Sequence, residues 1–135
     1  MTGNTVFVSG GFDPVHPGHI DLFRDAARFG KVHTILNTDE WLVRKKGSPL
    51  MPWEERYAVL MGMRDVFHVS RALDNDGTVC HSLLAHAKKA DGQLFFANGG
   101  DRGACNTPEI AVCRRLGIQI LFGIGPIPKK RGSSD

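Results

Sequence analysis

Short apolar runs alternate along this chain with stretches whose apolar positions fall at helical spacing. Thr5-Val6-Phe7-Val8-Ser9 is apolar and β-branched and stops at Gly10-Gly11, which predicts a buried strand running into a turn. After Pro17-Gly18, positions Ile20, Phe23, Ala26, Ala27 and, less regularly, Phe29 follow helical spacing until Gly30 ends the segment. Val32-His33-Thr34-Ile35-Leu36 follows at once as a second strand. A strand, helix and strand so closely connected favour a parallel, right-handed crossover. Asn37 to Pro52 carries charges, Gly47, Ser48 and two prolines, which predicts a long functional or mobile loop whose Arg44-Lys45-Lys46 folds over a ligand.

The alternation continues beyond that loop. Pro52 and Trp53-Glu54-Glu55-Arg56 open a predicted helix to Met63, with acids in the first turn where the helix dipole favours them. Val66-Phe67-His68-Val69 reads as a third strand, and Asp74-Asn75-Asp76-Gly77 as a turn. Thr78 then caps a helix running to about Ala90. Leu94-Phe95-Phe96-Ala97 is the fourth strand, followed by the glycine-rich Asn98-Gly99-Gly100-Asp101-Arg102-Gly103. Thr107-Pro108-Glu109 supplies an N-cap, a first-position proline and an early acid, predicting a helix over 108–116. Gly117 ends it, and Ile118 to Phe122 is the last strand. Five strands alternating with about four helices predict a single-domain, doubly wound α/β sandwich, Rossmann-like, on a five-stranded parallel sheet. That domain is expected over 1–125, with 126–135 as a C-terminal loop or tail.

Composition narrows the setting. With 135 residues, 41% of them hydrophobic, the chain can bury one core, so one domain must hold the whole site. No run approaches a membrane span, and Met1-Thr2-Gly3-Asn4 lacks the basic and apolar regions of a signal peptide, so a cytoplasmic protein that does not engage a membrane is expected. Cys80, Cys105 and Cys113 fit neither a disulfide framework nor the usual zinc spacing and are expected to be reduced thiols. A formal charge of +3, gathered in two short runs beside glycine or proline, suits a phosphate ligand and not a nucleic-acid track.

The chemistry concentrates in Gly10-Gly11-Phe12-Asp13-Pro14-Val15-His16-Pro17-Gly18-His19. Two imidazoles stand three residues apart where a strand passes into a helix whose N-terminus attracts anions. His16 falls in the loop and His19 in the first helical turn, both aimed at one phosphate. A lone glycine-rich turn or a lone histidine is commonly structural; here the two occur together and behind a strand. Asp13 has two readings, an Asx turn bracing the loop or a catalytic contact. Trp41 and Trp53 flank the basic loop, where hinge packing explains them more simply than stacking on a base or sugar. His33, His68, His81 and His86 have no paired ligand at metal spacing and are read as structural or surface residues.

This loop resembles the Gly-x-Phe-Asp-x-x-His-x-Gly-His signature of the cytidylyltransferase-like nucleotidyltransferases, including the glycerol-3-phosphate cytidylyltransferases. The resemblance extends to Thr38-Asp39-Glu40, Lys45 and Arg56, to Gly99-Gly100-Asp101, and weakly to Ser133-Ser134 near the chain's end. It implies attack by a phosphate or similar oxyanion on the α-phosphorus of a nucleoside triphosphate, with pyrophosphate leaving. His16, His19 and Lys45 would be catalytic. Gly10, Gly11, Phe12, Asp13, Gly18, Arg56, Gly99, Gly100, Asp101, Arg102, Ser133 and Ser134 would bind the nucleotide. Mg²⁺ would be held mainly by the triphosphate, and a homodimer is implied. Position 11, commonly Thr or Ser in that family, is glycine here, which removes a hydroxyl from the phosphate side of the loop.

The resemblance favours CTP, with ATP as the rival donor, and a phosphorylated alcohol or sugar as the acceptor. A non-catalytic nucleotide sensor is the alternative from another class, and retention of both histidines argues against it. An aminoacyl-tRNA synthetase core has a similar ATP loop, but the chain is too short for amino-acid and tRNA recognition.

Overall fold

In a computed structural model the chain runs β1 (Thr5–Gly10), α1 (Pro17–Ala26), β2 (Lys31–Leu36), α2 (Asp39–Lys46), α3 (Trp53–Met61), β3 (His68–Arg71), α4 (Cys80–Ala87), β4 (Leu94–Asn98), α5 (Pro108–Leu116) and β5 (Gln119–Phe122). The structure describes residues 3–13, 15, 17–73, 80–87, 92–98 and 108–122, with the backbone alone at 45, 46, 80, 81, 84, 98, 108–110 and 122. The predicted cap at Thr78 and the tail from 126 lie outside the described residues.

All five strands are parallel, in the order β3-β2-β1-β4-β5. β1 occupies the centre because neither of its faces can meet water, with Val6, Phe7 and Val8 no more than 1% exposed. Alternate residues of a strand point to opposite faces, and the core divides accordingly. Val6, Val8, Val32 and Leu36 pack with Phe23 and Ala26 of α1 and Leu60 of α3. Phe7, Ile35 and Phe96 pack with Leu83 of α4 and Cys113 of α5. The first crossovers therefore lie on one face and the later ones on the other. The chain leaves β1 toward β2 on one side, while β4 flanks it on the other. At such a reversal the loops beyond the strands' carboxyl ends diverge and leave a crevice.

Three expectations change. Asn37 to Pro52 is not one long loop, because α2 spans Asp39–Lys46 within it. Thr38 caps that helix by accepting from the Trp41 N–H at 3.1 Å, Asp39 and Glu40 fill its first turn, and Gly47 (φ 100°) ends it. The third strand lies two residues later than expected, because Val66 and Phe67 form the approach from α3. Phe67 is 60% exposed with Lys31 Nζ 4.7 Å over its ring, and pairing begins at His33 with His68. The helix after Pro52 ends at Met61, with Pro52 as its N-cap and Gly62 as its C-cap.

Candidate active site

The first loop is shaped by a residue that sequence patterns would not place in a left-handed conformation. Phe12 has φ 48°, a region that costs a non-glycine residue about 1 kcal/mol or more. Burial of the ring offsets that cost: Phe12 is 5% exposed, lies 5.3 Å from the Phe23 ring and meets His19 edge-on at 4.8 Å. The ring also folds back over β1, where a Cβ on Gly10 would stand 3.0 Å from Phe12 Cε2. A side chain at position 10 would displace the ring that steadies His19. His19 itself is half-buried in the first turn of α1, beside Gly18. The N–H groups of that turn lack intrahelical partners and favour anions.

Asp13 is a clip. It is 9% exposed, and its two oxygens accept from the backbone N–H of Leu50 at 2.6 Å and of Met51 at 2.8 Å. Charge-assisted bonds of this kind are about twice as strong as neutral ones. They tie the segment after α2 to the histidine loop, so the stretch read as mobile is held at its far end. Asp13 thus reaches across to a partner segment.

Arg56 is held from every side. It is 0% exposed on α3, and its guanidinium donates four hydrogen bonds. Nε reaches the Met51 carbonyl at 3.0 Å, and Nη1 reaches the carbonyls of Gly11 and Asn37, each at 2.9 Å. Nη2 meets Asp39 Oδ1 at 2.6 Å. A buried charge is tolerated only with such satisfaction, and the fork geometry of arginine supplies it. Arg56 therefore joins the end of β1, the end of β2, the start of α2 and the segment before α3. Asn37 adds a further link, its N–H donating to the Gly10 carbonyl at 3.0 Å.

Sequence reasoning named Arg56, Gly11 and Asp39 but not the bonds that join them, and it passed over Asn37 and Met51. Asn37 and Asp39 carried a signal, since polar residues just after a strand commonly line a site, whereas nothing in the spacing showed that the guanidinium would be buried. Lys45 lies in the last turn of α2, where its backbone alone is described. His16, Gly99, Gly100, Asp101, Arg102, Ser133 and Ser134 lie outside the described residues.

Trp53 is a packing residue. Its Nε1 donates to the Leu36 carbonyl at 3.2 Å, it stacks on Tyr57 at 5.1 Å, and the Arg71 guanidinium sits 4.0 Å over its ring. Away from the loop, His33 lies between His68 and His86, with ring centroids 4.9 and 4.5 Å apart, and its Nε2 is 2.7 Å from Ser70 Oγ. Burial first, then the neighbouring His86 and His68, lowers its pKa from 6.5 to about 4. Among the described residues no group of three or more His, Cys, Asp or Glu side chains is placed to hold a metal ion. No helix among them is long and apolar enough to cross a membrane, and Cys113 is buried and in no disulfide.

Comparison with known proteins places this geometry. The chain is 32% identical over 116 residues to the bifunctional protein HldE of Actinobacillus succinogenes, a match covering 75% of this chain and 24% of that protein. It is 33% identical over 61 residues to the FAD synthase of Ferroglobus placidus, covering 45% of this chain and 40% of that one. It is 40% identical over 53 residues to the ethanolamine-phosphate cytidylyltransferase of Dictyostelium discoideum, covering 38% and 15%. The chain thus spans about a quarter of the length of the HldE protein. Among solved structures, the lipopolysaccharide core biosynthesis protein of Thermoplasma volcanium shares the fold, with a TM-score of 0.71 at 16% identity over 93% of this chain and 98% of that one. The sequence profile described as cytidylyltransferase-like matches residues 7–111, and the chain belongs to that family of nucleotidyltransferases.

Proposed function

We propose that this chain transfers a nucleoside monophosphate, CMP from CTP, to a phosphorylated alcohol or sugar with release of pyrophosphate. The observation that carries the reading is His19, held by Phe12 in the first turn of α1 where the loop from the central strand ends. An acceptor phosphate oxygen attacks the α-phosphorus, the bond from that phosphorus to the bridging oxygen breaks, and pyrophosphate carries the electron pair away. No enzyme-bound intermediate is needed, so catalysis consists of positioning and charge.

His16 and His19 donate hydrogen bonds to phosphate oxygens as negative charge builds on them, and the open N–H groups at the start of α1 add to that field. Lys45, whose backbone lies in the last turn of α2, acts on the triphosphate. Gly10, Gly11 and Gly18 keep the backbone close, and the loop over 99–102 takes the nucleotide on the β4 side. Both oxygens of Asp13 already accept backbone N–H groups, and Mg²⁺ would be held mainly by triphosphate oxygens. When bound it supplies charge neutralisation for the leaving pyrophosphate.

ATP in place of CTP is the second reading, favoured by the FAD synthase among the relatives, as the ethanolamine-phosphate cytidylyltransferase favours the first. Pyrophosphate release with Mg²⁺, measured for CTP, ATP, GTP and UTP against a panel of phosphorylated alcohols and sugars, tests both. Release that requires CTP and one acceptor together is the expected result. Release with ATP alone replaces CTP by ATP, and tight nucleotide binding without release from any pair points to a sensor.

A further inference from the structure

Asn37 follows β2 directly and is 5% exposed, yet its structural bonds come from its backbone alone. Its N–H donates to the Gly10 carbonyl at 3.0 Å, and its carbonyl accepts from Arg56 Nη1 at 2.9 Å. The side-chain carboxamide makes no hydrogen bond among the described residues. Nor is it sealed. Thr34 Oγ1 is the one side-chain oxygen or nitrogen among the described residues that is both enclosed and unpartnered, so both polar atoms of the Asn37 carboxamide remain in reach of solvent. The stem is buried and the amide end stays open. Buried polar groups are nearly always paired, and an amide that loses most of its water without gaining a partner costs stability.

The place of that amide gives it a use. Gly10 is the last residue of β1, and Arg56 joins the carbonyls of Asn37 and Gly11, so Asn37 lies at the root of the histidine loop. Ser9, opposite Ile35 in the register, is half-buried and its hydroxyl likewise forms no hydrogen bond among the described residues. We propose that Asn37 is a further substrate-binding residue, whose carboxamide takes a carbon-bound hydroxyl of the sugar or polyol phosphate held by that loop. The inference rests on the proposed function. A carboxamide is neutral and both donates and accepts, as a hydroxyl does, whereas phosphate oxygens only accept and are drawn to charge and to the start of α1. Hydroxyls lie within a few bonds of phosphorus in the ribose of a triphosphate and in a phosphorylated alcohol or sugar alike.

The test is titration calorimetry of the wild type and Asn37→Ala with ligands that differ by one hydroxyl. The nucleotide arm uses CTP and ATP beside their 2′-deoxy and 3′-deoxy forms. The acceptor arm uses glycerol 3-phosphate beside 3-hydroxypropyl phosphate, and glucose 1-phosphate beside 2-deoxyglucose 1-phosphate, with nucleotide present and Mg²⁺ withheld so that no turnover intervenes. Asn37→Ala should weaken the hydroxyl-bearing member of one arm about tenfold, the size of one hydrogen bond, and its deoxy partner by less than about twofold. Loss in the nucleotide arm names the ribose as the source, and loss in the acceptor arm names the acceptor. Equal loss for both members of every pair, no loss in any, or no binding by any probe overturns the proposal.

Because the bonds that Asn37 gives the fold are backbone bonds, Asn37→Ala should melt close to the wild type. A fall of more than about 5 °C would show that the carboxamide serves the fold, and overturns the proposal. Binding also separates this inference from the reaction. Hydroxyl-dependent loss without pyrophosphate release from any substrate pair would keep Asn37 as a binding residue and remove the proposed transfer. Release with no such loss would leave the transfer standing and overturn the role of Asn37.

Discussion

The Arg56 guanidinium donates to the Gly11 carbonyl oxygen at 2.9 Å across 45 positions of sequence, from a side chain that no solvent reaches. Through that contact the helix after the basic segment holds the end of the central strand. The same group reaches Asn37, Asp39 and Met51, so the loop of the histidines and the helix of the lysines share one support.

Removing the support should destabilise the fold and loosen the site together. Arg56→Met strands three carbonyls and one carboxylate and should cost about 3 kcal/mol, read as a lower midpoint in denaturant at unchanged slope. Arg56→Lys keeps the charge but not the fork, and should recover only part of that loss. A midpoint within error of the wild type for Arg56→Met would show that the network does not hold the loops.

The Asp13 clip predicts an effect on the segment it captures. Asp13→Ala frees the N–H groups of Leu50 and Met51, so limited proteolysis between Gly47 and Pro52 should accelerate at least about fivefold, in proportion to local opening. The KM for the nucleoside triphosphate should rise with it, because Lys45 then approaches from a looser helix. Asp13→Asn keeps one acceptor and should lie between the two. Equal cleavage in all three proteins would place the restraint elsewhere.

Legibility followed the kind of signal each residue carried. β1 and α5 were readable because an unbroken β-branched run ending in glycines and a proline at a helix start have few other uses. α2 was not, since Asp39-Glu40-Trp41-Leu42-Val43-Arg44-Lys45-Lys46 has little apolar periodicity, and of its described side chains only Leu42 is buried. Its own start signal, Thr38 followed by two acids, was read as a family motif although it is also a helix cap. β3 slipped by two residues because Val66 and Val69 are both buried, and alternation alone cannot tell a strand from its approach. Arg56 was found by spacing, but spacing says nothing of depth; the four acceptors around it come from segments that only the fold brings together.

His33 makes stability depend on pH. In the unfolded chain it titrates near its ordinary 6.5, whereas burial and the neighbouring imidazoles lower it to about 4 in the fold. Between those values the unfolded chain binds a proton that the folded chain does not, so stability from this group falls as pH drops from about 6.5 toward 4. Thermal unfolding of the wild type and His33→Gln across pH 7.5 to 4.5 should show a smaller decline in the variant. Parallel curves would remove His33 from the acid response.

Thr34 offers a stabilising change. It is 0% exposed, and its Oγ1 has no hydrogen-bond partner among the described residues. Thr34→Val keeps the branched shape and removes a desolvated hydroxyl, so the melting temperature should rise, by a free energy of about 1 kcal/mol. A lower melting temperature would mean that the hydroxyl is satisfied after all.

The central claim is that the histidine loop stabilises a phosphoryl transition state. Its most direct test is single-turnover pyrophosphate release by the wild type, His16→Ala and His19→Ala with saturating triphosphate, Mg²⁺ and acceptor, alongside thermal unfolding of each protein. The account predicts a fall in rate of at least about a hundredfold in both variants with folding retained. Near-normal rates in both would contradict it.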